Sequence, residues 1–358
     1  MTKVQGIGGA EQHLLALLPA LRERGVDAHF LSLDGGRDST RFHRALDERS
    51  VPWTRVRCGF DLSPRLATVV TARVRAERPD LLHTHMVHAD AYGSLAAHLS
   101  QTPFVSTRHN DDRYLLGPFR HVDRGLMRGA KRIVAISDAV RDFHVAAGLP
   151  AAKLETIHYG LDEVPAAPSE TTPAAAGVPF GVPLLLAIGR LIEQKDHATM
   201  LDAFARVQRS HREARLAILG WGPLETRIRE QAEALGLGDS VLVLGRVEPR
   251  DWLQRADVFV HTSRWEGFGI VLLEAMLASL PVVATRVSAI PEVVVDGETG
   301  LLAPAGDARA IAEHLSALLD DPKRRRVLAE HGLRRARERF SVARMTEKTL
   351  AVYERALT

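Results

Sequence analysis

Residues 256–284 read ADVFVHTSRWEGFGIVLLEAMLASLPVVA. A short apolar run, Val258-Phe259-Val260-His261, leads into a polar loop. Ile270-Val271-Leu272-Leu273-Glu274-Ala275-Met276-Leu277 follows as a helical segment, and Pro281-Val282-Val283-Ala284 closes the stretch as a second apolar run. Strand, helix, strand in that order is a βαβ unit, and such units are right-handed and build parallel sheets. The loop carries Glu266-Gly267-Phe268-Gly269. Its glycines permit positive φ and close backbone approach. The helix start behind them offers N–H groups suited to an anion. Glu266 and Glu274, eight positions apart, add carboxylates that accept hydrogen bonds from hydroxyls. Anion and polyol side by side describe a nucleotide sugar.

The same alternation extends outward. Short apolar strand candidates lie at 29–33, 80–84, 104–107, 132–136 and 154–157, then at 184–188, 216–219, 241–244, 257–260 and 281–284. Helical patterns at 12–24, 66–78, 88–100, 138–147, 197–210, 225–235, 270–278 and 307–319 separate most of them. Between the two sets, residues 164–183 carry five prolines and no periodic pattern, which predicts a linker. The expectation is an α/β chain of two Rossmann-like domains, 1–163 and 184–340, facing each other across a cleft. Open parallel sheets bind ligands beyond the carboxyl ends of their strands, so the cleft is the expected site. Residues 1–5 are too few for a normal first strand, so either a stub or an upstream start is expected there.

Composition sets the broader limits. A chain of 358 residues suggests two cores. Hydrophobic content of 46% and charged content of 25% are ordinary for a globular protein. Apolar runs such as 184–188 are too short to span a bilayer, and polar Thr2 and Lys3 argue against a signal peptide. The one cysteine, Cys58, excludes an internal disulfide and a cysteine zinc site. A reducing, cytoplasmic setting is expected. Of 47 Lys/Arg and 44 Asp/Glu, 22 and 19 lie in residues 1–163, so the whole +3 surplus sits in the first half. It is too small for a nucleic-acid footprint, and scattered solvated arginines explain it. It also allows a phosphate-bearing acceptor or peripheral contact with a membrane surface.

Other segments carry chemistry. Gly189-Arg190-Leu191-Ile192-Glu193-Gln194-Lys195 follows strand 184–188. Arginine engages phosphate oxygens bidentately and lysine adds a point charge, which suits a diphosphate. Gly6-Ile7-Gly8-Gly9-Ala10-Glu11 is not a dinucleotide fingerprint, because Glu11 stands at the third glycine, but Gly8 and Gly9 still make a turn that meets phosphate. His83, His85 and His88 invite a metal reading, yet no carboxylate completes the spacing, so no metal is expected. His109 follows strand 104–107 and therefore lies at a strand's carboxyl end.

Together these residues resemble the retaining glycosyltransferases of family 4, which have the GT-B fold. The resemblance covers nearly the whole chain and is strongest from Gly189 to Leu302. It includes the Glu266-x7-Glu274 element, the early GxGGAE loop, Ala135-Ile136-Ser137-Asp138 and Thr156-Ile157-His158-Tyr159-Gly160. It implies that Arg190 and Lys195 hold a donor diphosphate and that Glu274 binds ribose hydroxyls. Glu266, with the backbone of Gly267, Phe268 and Gly269 and the helix start at Ile270, would meet the transferred sugar. Arg246 and Val247, beside Gly245, would border the base. Gly8 and Gly9 would approach the phosphates from the first domain, and His109 would lie near the reacting carbon. The final helix, 341–358, would return to the first domain. Expected partners are a nucleotide-diphosphate sugar and an acceptor hydroxyl, lipid-linked in one reading, with no cofactor and no nucleic acid. Four features depart from the family pattern: the short N-terminal strand, Trp221 in place of an acid in Gly220-Trp221-Gly222-Pro223, Ser288-Ala289 in place of a glycine pair, and His158-Tyr159-Gly160 in place of Pro-Asn-Gly. A nucleotide-sugar 2-epimerase, a nicotinamide oxidoreductase and an inactive sugar-nucleotide-binding protein are the competing readings.

Overall fold

The computed structural model describes residues 1–4, 6–34, 39–58, 63–163 and 171–358, with Arg113 described by its backbone alone. It divides into two compact units, Met1–Gly160 with Ser341–Thr358, and Leu161–Phe340. The 164–170 part of the expected linker lies outside the described residues.

The first unit runs β1 (Thr2–Val4), α1 (Gly9–Glu23), β2 (Phe30–Asp34), α2 (Ser39–Glu48), β3 (Trp53–Arg57), α3 (Pro64–Glu77), β4 (Leu82–His85), α4 (Val87–Ser100), β5 (Phe104–Arg108), α5 (Phe119–Met127), β6 (Arg132–Ala135), α6 (Asp138–Ala146) and β7 (Leu154–Thr156). All pairings are parallel, in the orders β1-β2-β3 and β4-β5-β6-β7. The His85 N–H donates to the Met1 carbonyl at 2.9 Å, and the Met1 nitrogen donates to the His83 carbonyl at 2.6 Å. These bonds set β1 beside β4, so the strands run 3-2-1-4-5-6-7. The first strand is indeed a three-residue stub, but it is paired with β2 and bonded toward β4 rather than left as an open edge.

Local sequence accounts for the helix starts. Ser137 and Ser63 cap α6 and α3 by accepting from Val140 N and Leu66 N, and Pro64 opens α3 where its missing N–H costs nothing. Glu11 accepts from Gly8 N at 2.9 Å, so the residue that breaks the dinucleotide fingerprint caps α1 instead. One core packs Val4, Leu14, Phe30, Phe42 and Leu46. A second joins Leu17, Leu21, Val105, Val134 and Ile157 to Met345, Val352 and Ala356 of the chain's last helix (Val342–Leu357).

The second unit runs β8 (Leu184–Ile188), α7 (His197–Val207), β9 (Arg215–Leu219), α8 (Glu225–Ala234), β10 (Val241–Val243), α9 (Arg250–Arg255), β11 (Val258–His261), α10 (Ile270–Leu277), β12 (Val282–Thr285), α11 (Ile290–Val293), β13 (Gly300–Ala303), α12 (Ala308–Asp320) and α13 (Pro322–Arg339); α14 is the last helix already given. Its single parallel sheet has the order β10-β9-β8-β11-β12-β13. Renumbered within the unit this is 3-2-1-4-5-6, the doubly wound Rossmann order. Strands β8, β11 and β12 are covered on both faces, which explains their unbroken apolar runs. The strip at 171–183 is tied to α9: the Trp252 indole donates to the Thr171 carbonyl at 2.8 Å, and Arg255 donates to the Val182 carbonyl at 2.7 Å. The strand order reverses between β8 and β11, and the carboxyl ends of the strands at such a reversal are where doubly wound sheets bind ligands.

Candidate active site

The residues following β8 and β11 meet at this reversal. Lys195, in the turn after β8, donates to Glu266 Oε2 at 2.5 Å. The same oxygen lies 3.2 Å from His261 Nε2, at the end of β11, and 3.2 Å from the Ser263 hydroxyl. Ser263 Oγ and His261 Nε2 are 3.0 Å apart, so four side chains share one polar knot. Lys195 and Glu266 side chains are 15% and 12% exposed, so the pair is largely withdrawn from water. Burial alone would raise the Glu266 carboxyl. The Lys195 ammonium and the His261 hydrogen bond outweigh it and hold the group well below the usual carboxylate range. Burial lowers His261, against the pull of Glu266. His197 is pushed down to about 4 by burial, with Lys195 and His261 adding to the effect. The knot is therefore a carboxylate and an ammonium among neutral imidazoles.

The surrounding loops are fixed by hydrogen bonds to backbone carbonyls. The Thr262 hydroxyl donates to the Lys195 carbonyl at 2.9 Å, Arg264 N donates to the Gln194 carbonyl at 2.8 Å, and Gln194 Nε2 donates to the Trp265 carbonyl at 2.9 Å. The turn after β8 and the loop after β11 are thus one rigid piece. Gly220 explains how tightly the β9 turn packs here: a Cβ there would lie 1.8 Å from the Gly189 carbonyl oxygen. Arg190, two residues past β8, is exposed.

Glu266 leads through Gly267 and Phe268 to Gly269, whose φ of 83° supplies the left-handed turn into α10. Phe268 turns its ring inward, edge-on to Phe340 with centroids 5.7 Å apart, which anchors the loop. Ile270 begins α10 with no side-chain cap. Glu274 follows just beyond the first turn of that helix and is 2% exposed. Arg246 and Val247 follow β10, the edge strand two positions from β8, or about 10 Å away at normal strand spacing. The Arg246 guanidinium lies over the Trp221 ring, 3.8 Å from its centroid. The tryptophan that departs from the family pattern therefore holds Arg246 by a cation–π contact.

In the first unit, Gly8 precedes α1, Gly9 opens it, and His109 lies one residue past β5. His109 is buried with both ring nitrogens engaged: Nδ1 is 2.5 Å from the Tyr159 hydroxyl and Nε2 is 3.1 Å from His85 Nδ1. His13 of α1 stacks on Tyr159 with centroids 4.7 Å apart. His83 lies 2.7 Å from both the Tyr353 and Thr107 hydroxyls. Of the histidines that invited a metal reading, His83 and His85 thus hydrogen-bond within the unit. Burial lowers all four, His13 to about 3 and His83, His85 and His109 well below the ordinary value, so they are neutral at pH 7.

The structure brings Lys195 and Glu266 into contact, sets Arg190 nearby in sequence on the same turn, and places Glu274 on the helix that Glu266 introduces. Sequence reasoning missed His261, Ser263, His13, Tyr159 and Trp221 as parts of these clusters. A polar triplet, His261-Thr262-Ser263, at the end of an apolar strand was the available signal for the first two. Tyr159 and His109 are 50 positions apart, and nothing local pairs them.

Two family models divide the chain: Glycosyltransferase Family 4 matches residues 7–164 and Glycosyl transferases group 1 matches residues 169–335. The chain is 30% identical to the D-inositol 3-phosphate glycosyltransferase of Xylanimonas cellulosilytica over 98% of its own length and 92% of that protein's. It is 30% identical to the phosphatidyl-myo-inositol mannosyltransferase of Mycobacterium leprae over 98% and 94%. Among solved structures, HepE of Anabaena in complex with UDP and glucose superposes with a TM-score of 0.85 over 99% of this chain and 98% of that one, at 22% identity. The parallel sheets and their strand order agree with that GT-B architecture, as expected from the sequence. Matched along nearly its whole length, the chain belongs to the group 1 glycosyl transferases of glycosyltransferase family 4.

Proposed function

We propose that this glycosyltransferase moves a hexose from a nucleoside-diphosphate sugar to an acceptor hydroxyl with retention of anomeric configuration and without a metal or cofactor. The observation that carries the reading is the Lys195–Glu266–His261–Ser263 knot at the strand-order reversal of the second unit. Arg190 and Lys195 supply fixed positive charge where the leaving diphosphate develops its own, which stabilises the transition state more than the ground state. Glu266 holds the Lys195 ammonium in position and, with the Gly267–Gly269 backbone, faces the sugar. Glu274 takes the ribose hydroxyls. Arg246, flattened on Trp221, borders the base together with Val247. Gly8 and Gly9 are read as donor-binding residues and His109 as a catalytic one, all three in the first unit. His109 gives its ring nitrogens to Tyr159 and His85, so this reading assigns it a positioning and electrostatic role rather than proton transfer.

The acceptor is read as lipid-linked, in cell-envelope glycoconjugate synthesis at the cytoplasmic membrane face. The Mycobacterium leprae relative named for phosphatidyl-myo-inositol supports this, and the small positive surplus of residues 1–163 allows it. No helix among the described residues is long and apolar enough to cross a membrane, so contact would be peripheral.

The test is a screen of UDP-, GDP- and ADP-sugars with and without lipid extract, with products followed by proton NMR. One donor should be slowly hydrolysed alone, its sugar should pass to an acceptor as the α anomer from an α donor, and EDTA should leave the rate unchanged. A β product or loss of activity in EDTA contradicts the reading. Epimerised donor without transfer assigns the chain to the 2-epimerase alternative.

A further inference from the structure

Helix α5 is inverted relative to an ordinary surface helix. Asp123, its acid, points inward, 3% exposed, and accepts from Arg108 Nη2 at 2.7 Å. Arg108 is 1% exposed and also lies 3.3 Å from Asp90, which is fully buried. Meanwhile Phe119 and Val122 are 63% and 60% exposed, and Tyr114 and Leu116 just before the helix are each 52% exposed. The Tyr114 and Phe119 rings meet edge-on with centroids 6.2 Å apart, and Val122 lies one helical turn on from Phe119, so these three side chains share one exposed patch. Folding normally hides such residues and leaves acids in water. Here a buried ion pair holds the helix with its apolar face outward, and among the described residues Leu115 and Met127 are the segment's buried apolar side chains.

The exposed charge on the helix itself is one-sided, while Asp111 and Asp112, both partly exposed, precede Tyr114. Arg120, Arg124 and Arg128 are exposed on the same helix and its end, and Lys131 follows. The helix's one acid is the buried Asp123, so it offers nothing to offset them outside. Apolar side chains ringed by arginines complement one surface chemistry: the interface of a membrane that contains anionic lipid. We propose that α5 and the turn before it dock the chain on anionic bilayers, with Phe119, Val122, Leu116 and Tyr114 entering the headgroup boundary and the three arginines pairing with lipid phosphates. The proposal rests on the reading of a lipid-linked acceptor, since it names the surface that would bring this chain to such a substrate. It requires no particular donor.

Flotation of the full chain with phosphatidylcholine vesicles, with and without 30 mol% phosphatidylglycerol, tests it. The chain should float with the anionic vesicles and stay behind with the neutral ones. Arg124→Ala should weaken partitioning about fivefold, since each surface cation contributes ~1 kcal/mol. The paired Phe119→Ser and Val122→Ser substitutions should weaken it by roughly tenfold or more, because interfacial binding scales with the apolar area inserted. Both variants alter only exposed side chains, so their thermal melting should match the wild type. Hydrolysis of a soluble donor should also be unchanged in them, so loss of flotation is distinguishable from failure of the enzymatic reading. No flotation of the wild type, or equal flotation of all variants, overturns the proposal. So does concentration-dependent dimerisation in light scattering that the Phe119→Ser, Val122→Ser variant abolishes, because the patch would then belong to a second copy of the chain.

Discussion

Lys195→Met separates an ion pair that the fold has withdrawn from water, and its cost can be worked from the geometry. The ammonium lies 2.5 Å from Glu266 Oε2, and the two side chains are 15% and 12% exposed. Removing it leaves a carboxylate with the His261 and Ser263 contacts, both at 3.2 Å. Breaking a buried pair on one side costs ~3–5 kcal/mol, and residual solvent access places this pair near the lower figure, about 3 kcal/mol at pH 7. Glu266→Gln should cost a similar amount by orphaning the ammonium. The double variant should then cost less than the sum of the singles by about 2 kcal/mol, because each single change alone leaves an uncompensated charge. Acid gives an independent check. Glu266 titrates below its unfolded value, so its contribution is present above the unfolded carboxyl pKa of about 4.3 and is lost as pH falls through lower values. Lys195→Met raises the folded value, so the loss of stability between about pH 5 and 3 should flatten. Urea denaturation followed by indole fluorescence suits this assay, because Trp221, Trp252 and Trp265 all lie in the second unit. Additive single variants, or a Lys195→Met protein as stable as the wild type, would refute the reasoning.

Other outcomes follow from the same clusters. Gly220→Ala places a Cβ 1.8 Å from the Gly189 carbonyl oxygen and should cost about 3 kcal/mol or more by urea denaturation. Tyr159→Phe keeps the stack on His13 but removes the partner of His109 Nδ1. It should lower kcat roughly tenfold with donor KM unchanged, and shift the His109 ring ¹⁵N resonances. His13, His83, His85 and His109 all titrate below their unfolded value, so their stabilising effect is full above about pH 6.5 and is lost as pH falls. Each takes up as much as one proton on unfolding, so stability measured at pH 7.5 and 5.5 should fall by up to about 1.4 kcal/mol per pH unit per histidine.

The strands that the sequence reveals best are those the sheet buries on both faces. Leu184–Ile188 and Val258–His261 read as unbroken apolar runs because no face of them meets water. Trp53–Arg57 escaped notice because it is an edge strand whose two arginines point to solvent. Helix α13 was hidden by Lys323-Arg324-Arg325-Arg326 and its later arginines, although Asp321 caps it and Pro322 opens it. Among the candidate site residues, Glu266, Glu274, Arg190 and Lys195 stood out because glycine loops at strand ends are legible locally. The pairing of Lys195 with Glu266 was not, since 71 positions separate them and only the parallel alignment of β8 with β11 brings them together. Helix α5 shows the opposite limit: periodicity alone would bury Phe119 and Val122, and the Arg108–Asp123 pair turns them outward.

The central claim is that the crevice beyond β8 and β11 grips a nucleoside diphosphate. Calorimetric titration of UDP, GDP and ADP into the full chain, the Lys195→Ala variant and the Glu274→Ala variant tests it most directly. The account predicts that one of the three binds the wild type with a Kd on the order of micromolar, and that each variant weakens it at least tenfold, about 1.4 kcal/mol. Heat of binding that is absent for all three nucleotides, or the same in folded variants as in the wild type, would contradict it.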